Sequence, residues 1–159
     1  MRVDNLGSDE EWKMEYKIVP LEERHVSELA NIEAALFSLP WSEKAFSDLL
    51  KHDYCHYLVA EENGEPVGFA GMTLLGDEGD IDKVMVEPRH QRKGIADALL
   101  EALFVLGEEK GAAAYTLEVR ASNEPAIRLY EKHGFVSEGV RPRFYEKPIE
   151  DALIMWKRS

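Results

Sequence analysis

Hydrophobic positions along the chain switch between two periods, and the switches mark its elements. "EYKIVPL" (15–21) alternates as a strand, and in "LEERHVSELANIEAALF" (21–37) Leu21, Leu29, Ile32 and Leu36 fall near helical spacing. "WSEKAFSDLLKH" (41–52) predicts a second helix, with Ser42 as its cap and Trp41 packing on Phe46 as a hydrophobic staple. "CHYLVAEENGEPVGFAGMTLL" (55–75) predicts two strands joined at Asn63-Gly64. A turn follows over Gly76 to Gly79. "IDKVMVEP" (81–88) is a fourth strand stopped by Pro88. Lys93 to Lys110 read as a long helix with Ile95, Leu99, Ala102, Leu103 and Leu106 on one face and Gly111 as its end. "AYTLEVRA" is a fifth strand, Pro125 to His133 a short helix closed by Gly134, and "FVSEGVRPRFYEK" and "EDALIMWK" two last strands. The order β-α-α-β-β-β-α-β-α-β-β is that of an α/β domain on one mixed sheet.

Length and composition narrow the reading further. One domain accounts for 159 residues, with residues 1–13 expected as a disordered leader or an expression remnant and 14–159 as the folded unit. Nineteen basic against 31 acidic residues leave a net charge of −12, which argues against nucleic-acid binding and favours a cationic partner, an amine or a basic protein. Cys55 is the only cysteine, so no disulfide framework forms within the chain, and the five histidines lack metal-ligand spacing. No signal-peptide core and no membrane-length apolar run occurs, so a soluble cytoplasmic protein is expected.

Against that acidic background, Arg89, His90, Gln91, Arg92 and Lys93 crowd before Gly94 and the long helix. A helix start exposes unpaired N–H groups and partial positive charge, the geometry that holds phosphates. The ordinary alternative is a solvated basic turn. A second position needs a reason too. In the fifth strand Glu118 shares a face with Thr116 and Arg120, opposite Leu117 and Val119, although strand interiors disfavour Glu. An ion pair near Arg120 or an edge position would explain it, and so would a catalytic base. Tyr130 fits a packing role, and Asn123 a helix cap.

Gln91-Arg92-Lys93-Gly94-Ile95-Ala96, between a strand and a helix, resembles the acetyl-CoA signature of the GNAT N-acetyltransferases. "LPWSEKAF", "LEVRASNEPAIRLYEKHGF" and "EDALIM" are similar to the RimI branch of that family, and the likeness runs from about residue 16 to 157. The resemblance implies a GNAT fold, a central sheet of about seven strands with four helices, splayed between strands four and five. It implies acetyl-CoA as cosubstrate and no metal. Residues Gln91 to Asp97 would hold its pyrophosphate, Asn123 would contact it, and the backbone of Val84, Met85 and Val86 would lie along the pantetheine arm. Glu118 becomes the base and Tyr130 the acid, in direct attack within a ternary complex without an acyl-enzyme.

The acceptor implied is the N-terminal α-amine of a protein, the alanine end of a small-subunit ribosomal protein, met by Trp41, Arg141, Phe144 and Tyr145. An α-amine of pKa about 7.7–8.0 is neutral roughly 300-fold more often than a lysine at neutral pH, which favours this acceptor over a side chain. Phe144 and Glu146 depart from the branch's Tyr and Pro and touch the acceptor side alone. Acetylation of lysines or small amines, and a non-catalytic CoA-binding module, are the other readings. A monomer or weak dimer is expected.

Overall fold

The computed structural model describes residues 16–158, so the proposed leader over residues 1–13 lies outside the described residues. Strands β1 (Tyr16–Pro20), β2 (Cys55–Glu62), β3 (Glu65–Leu75), β4 (Glu78–Val86), β5 (Ala114–Arg120), β6 (Val136–Tyr145) and β7 (Glu150–Arg158) form one seven-stranded sheet. Helices α1 (Val26–Leu36), α2 (Glu43–Leu49), α3 (Ile95–Glu109) and α4 (Glu124–Lys132) complete the domain. The sheet order is β1-β2-β3-β4-β5-β7-β6, and β4 with β5 is its parallel pair. This is the predicted mixed sheet with four helices.

Local signals set most boundaries. Asn63 and Gly64 both take positive φ, 54° and 83°, as a two-residue hairpin turn demands. Ser42 accepts the Ala45 N–H at 3.1 Å, and the Trp41 ring meets Phe46 at 5.4 Å, so cap and staple are both formed. Several boundaries differ from expectation, the start of α3 at Ile95 and not Lys93 among them. The first helical stretch opens as a 3₁₀ turn, Glu23–His25, and becomes α1 only at Val26. The turn placed at Gly76 to Gly79 is shorter, because Glu78 and Gly79 already pair with Leu75 and Leu74 in β4.

Each face of the sheet carries its own apolar core. One gathers Leu99, Leu100 and Leu103 of α3 with Leu117, Val119, Tyr130 and Met155. The other gathers Leu29 and Ile32 of α1 with Phe46, Tyr57, Phe69 and Met85. Between the cores the sheet is incomplete. β4 and β5 pair over three positions only, Glu78–Ala114, Gly79–Tyr115 and Asp80–Thr116, and then part. Beyond Asp80, the β5-facing side of β4 has no strand partner.

Candidate active site

Where β4 and β5 separate, a cleft of about 690 Å³ opens. Val84 of β4, Glu118 of β5, Asn123 and Tyr130 of α4 and its cap, and Phe144 and Tyr145 of β6 all line it. Six sequence-predicted residues from four parts of the chain thus meet in one place. Alternation along β5 explains the placement of Glu118: Leu117 and Val119 are buried against α3, which turns Glu118 and Arg120 to the opposite face.

Glu118 is paired, but not with its strand neighbour. Its Oε2 accepts from Arg141 Nε at 3.1 Å, a partner brought in by β6. The carboxylate keeps 26% of its surface open, so it can still meet a ligand in the cleft. Tyr130 packs its ring on Phe135 at 5.8 Å and is 9% exposed. Burial, with a smaller contribution from nearby Tyr145, pushes its hydroxyl up from the usual tyrosine value. It therefore stays protonated across the physiological range, as a donor must. Asn123 accepts the Ala126 N–H at 3.2 Å and caps α4 while facing the cleft.

The loop before α3 has the features of an anion site. Gly94 takes φ +81° at the helix N-cap with no side-chain cap, and nothing lies within 4 Å of where a Cβ would stand. Arg92, also at positive φ (65°), and Lys93 are exposed beside it. The first-turn N–H groups, which a helix start leaves without intrahelical partners, thus have a glycine cap and two exposed cations beside them, which fits a pyrophosphate. Gln91 does something else: its Nε2 donates to Val86 O at 3.1 Å and fastens the loop to the end of β4. Asp97 is also engaged, with His133 at 2.7 Å and Lys132 at 3.1 Å, tying α3 to the end of α4. Ile95 is buried under α3, and Ala96 packs at the edge of the same core. Of the β4 trio, Val84 and Val86 face the α3 core and Met85 the opposite one.

The remaining acceptor-side residues divide. Phe144 and Tyr145 line the cleft, whereas Trp41 stands behind its wall among Phe46, Tyr57 and Phe69. Arg141 reaches the site through Glu118. Sequence reasoning weighed Arg120 only as a partner of Glu118 and did not single out Lys83. Arg120 donates to the carbonyls of Glu146 and Pro148, both at 2.9 Å, pairs with Glu150 at 3.2 Å and lies 4.5 Å from the Tyr145 ring. It thereby holds the β6–β7 turn in place. Its position two residues after Glu118 was a usable signal, since such residues share a face. Ser38 Oγ donates to Lys147 O at 2.9 Å, so the α1–α2 connection bridges to that same turn.

Two carboxylates of β4, Asp80 and Asp82, have raised pKa values, and Asp82 lines the cleft beside Lys83. Asp82 accepts from Thr73 at 2.8 Å and Tyr57 at 3.1 Å, and desolvation raises its pKa against those bonds. Asp80, though more than a third open to solvent, is pushed from 3.8 up to about 6, by desolvation first and then by Asp82, Glu118 and Glu78, with Arg141 opposing. A folded-state pKa above the unfolded value means that the native protein binds the proton more tightly, so Asp80 weakens the fold as pH rises. That cost is absent below the unfolded value and complete above about 6. Asp80→Asn should therefore raise Tm at about pH 7.5 and leave it unchanged at about pH 3.5, the difference shrinking in high salt. Thermal melts at both pH values check this, and an equal shift at each would contradict it.

Among the described residues no group of three His, Cys, Asp or Glu side chains is arranged to hold a metal ion, and no helix is long and apolar enough to cross a membrane.

Comparison with known proteins agrees with this geometry. The family described as "Acetyltransferase (GNAT) family" matches residues 26–135. The chain is 39% identical over 127 residues to the [Ribosomal protein bS18]-alanine N-acetyltransferase of Escherichia coli (strain K12), covering 79% of this chain and 85% of that protein. It is 37% identical over 136 residues to the N-alpha-acetyltransferase RimI of Mycobacterium tuberculosis, covering 82% and 84%. The crystal structure of the Escherichia coli ribosomal-protein-S18-alanine N-acetyltransferase superposes with a TM-score of 0.83 at 35% identity, over 91% of this chain and 94% of that one. The splayed sheet, the open helix N-terminus beside it and these likenesses converge: the chain belongs to the GNAT family of acetyl-CoA-dependent acetyltransferases, in its RimI-like branch.

Proposed function

We propose that this acetyltransferase acts on the N-terminal α-amine of a protein, the alanine end of a small-subunit ribosomal protein. The observation that carries the reading is the convergence of Glu118 and Tyr130 on the cleft between the parted strands. The N–H groups at the start of α3, with Arg92 and Lys93, hold the pyrophosphate of acetyl-CoA, and the unpaired side of β4 at Val84 to Val86 receives the pantetheine arm. Glu118 takes a proton from the acceptor ammonium, directly or through water. The freed nitrogen lone pair attacks the thioester carbonyl carbon, the carbon–sulfur bond breaks, Tyr130 gives its proton to the departing thiolate, and the second proton that nitrogen sheds as it becomes an amide returns to the Tyr130 oxygen through water. The acetyl group ends on nitrogen and no acyl-enzyme forms.

Three observations favour a chain end as acceptor. The cleft is bridged at its rim by the bond from Ser38 to Lys147, which narrows the approach. The net charge of −12 suits a cationic amine on a basic protein. The Escherichia coli and Mycobacterium tuberculosis relatives carry names for α-amine acetylation. Phe144, which is 48% exposed at the cleft, is the residue we assign to the acceptor's first side chain.

A peptide with a free N-terminal alanine and an internal lysine, incubated with acetyl-CoA and the protein, tests the proposal. Tandem mass spectrometry should place one acetyl group on the alanine amine. Acetylation of the lysine alone would transfer the reading to side-chain acceptors, and binding of CoA without any transfer would leave a non-catalytic module.

A further inference from the structure

Lys83 is a cation within the apolar half of β4, and its surroundings are unusual for a strand lysine. Its Nζ lies 3.4 Å from Glu33 Oε1 and 3.3 Å from Oε2. It also sits 4.4 Å from the centre of the Phe37 ring and 4.8 Å from that of Trp41. Glu33 is fully buried, and its Oε1 also accepts the Trp41 N–H at 3.0 Å. The Lys83 side chain is 19% exposed, and its open part faces the cleft. Two aromatic faces and one carboxylate around an ammonium make a cation cage. Here the occupant comes from the protein itself.

The cage spans three segments. Glu33 belongs to α1, Phe37 to the connection that follows it, and Trp41 to the residue before the cap of α2. Beyond the Phe37 N–H bond to Glu33 O that closes α1, residues 38–41 lie outside helix and strand, and Leu36, Phe37, Ser38 and Leu39 form one wall of the cleft. The Lys83 ammonium therefore joins both ends of the wall to β4, beside the core packing of Trp41 and the Ser38 bond to Lys147. Without it, Glu33 would be a buried charge lacking its counter-ion, and the Trp41 amide would hang on a carboxylate free to turn.

From this geometry we infer that Lys83 is the positioning residue of the acceptor wall. Its ammonium fills the cage of Glu33, Phe37 and Trp41 and sets the shape through which the acceptor amine enters. The inference rests on the proposed reading that the cleft takes an amine acceptor, and it deepens that reading by naming what orders the entrance.

Lys83→Ala leaves a vacancy the size of a propylammonium ion, which gives a test that a merely structural lysine would not pass. Backbone hydrogen exchange over residues 36–41 should rise, and the acceptor KM should rise, each by about tenfold or more, the combined scale of two cation–π contacts and a buried ion pair. Turnover at saturating acceptor and the acetyl-CoA Kd should stay within a factor of about two. Propylammonium should restore both slow exchange and KM, while neutral propanol should not. If Lys83→Ala does not fold, the double variant Glu33→Gln with Lys83→Met removes both charges at similar volume. It should show the same loosened segment and raised KM, without rescue. Unchanged exchange over 36–41, a rise spread evenly over the domain, or equal rescue by propanol would overturn the inference. Should the unmodified protein acetylate no α-amine peptide, the functional reading fails, and the exchange result still decides the role of Lys83.

Discussion

Glu118→Gln lowers kcat for acetyl transfer by about 10²–10⁴-fold, the range that general acid–base groups contribute. The substitution keeps the shape of the side chain. Its amide oxygen can still accept from Arg141 Nε, which lies 3.1 Å from the native carboxylate, so the β5–β6 contact survives. What is lost is the ability to take a proton from the acceptor ammonium. Acetyl-CoA binding should persist, because the donors assigned to it are backbone groups at the start of α3, on separate residues from Glu118. Steady-state kinetics with an α-amine peptide, beside a direct measurement of acetyl-CoA binding, separate the two effects. A kcat within a few-fold of the parent would remove Glu118 from the chemistry and leave it as half of an ion pair.

The second large effect falls on stability. In Gly71→Ala the added Cβ would lie 2.2 Å from Cγ and Cδ2 of Tyr57, well inside van der Waals contact. Neither side can yield easily. Gly71 pairs with Tyr57 across β2 and β3 and with Lys83 across β3 and β4. The Tyr57 ring packs against Trp41 at 6.0 Å and Phe69 at 6.2 Å, and its hydroxyl donates to Asp82. Moving the ring therefore disturbs the aromatic core and the hydrogen bond to Asp82, which lines the cleft, together. Overpacking of this severity costs about 3 kcal/mol or more. For a domain of this size that lowers Tm by about 6–12 °C. Gly139→Ala is the control, since its Cβ would meet only Ile154 Cδ1 at an ordinary 3.7 Å and the backbone there has no positive φ. Thermal melts of both variants decide the matter: equal Tm values would show that the strand pair adjusts to the extra carbon.

Gly71 also stands at an irregularity of the sheet. Gly71 and Lys83 face each other beside a register shift, because Gly71 pairs with Lys83 while Met72 pairs with Ile81. One residue of β4, Asp82, is left over between them. Bulges of this kind bend a strand and re-aim its side chains. Ile81 consequently faces the α3 core and Met85 the opposite one, although four residues apart they would share a face in an unbroken strand. The same bend accompanies the parting of β4 from β5, and so the opening of the cleft.

Much of the molecule was legible in the chain itself. Element order, the Asn63-Gly64 turn, the Ser42 cap with its Trp41 staple, and the glycine-opened start of α3 all rest on interactions among residues a few positions apart. Such interactions leave a local pattern that can be read directly. The face on which Glu118 lies was equally clear, because alternation along a strand is local too. Its partner was not. The sequence pointed toward Arg120, whereas Arg141 holds the carboxylate and Arg120 holds the β6–β7 turn. That exchange follows from the order β5-β7-β6, which inserts a later strand and carries β6 to the outer edge of the sheet. The cage around Lys83 depends likewise on the β4 bulge and on how α1 and α2 pack over it. The sequence determined the elements, the faces of its regular strands and the glycine turn before α3, because each is settled within a few residues. Only the tertiary structure decided which charges meet, where the sheet opens and which segments line the cleft, because these depend on strand order and on one unpaired residue that no local period records.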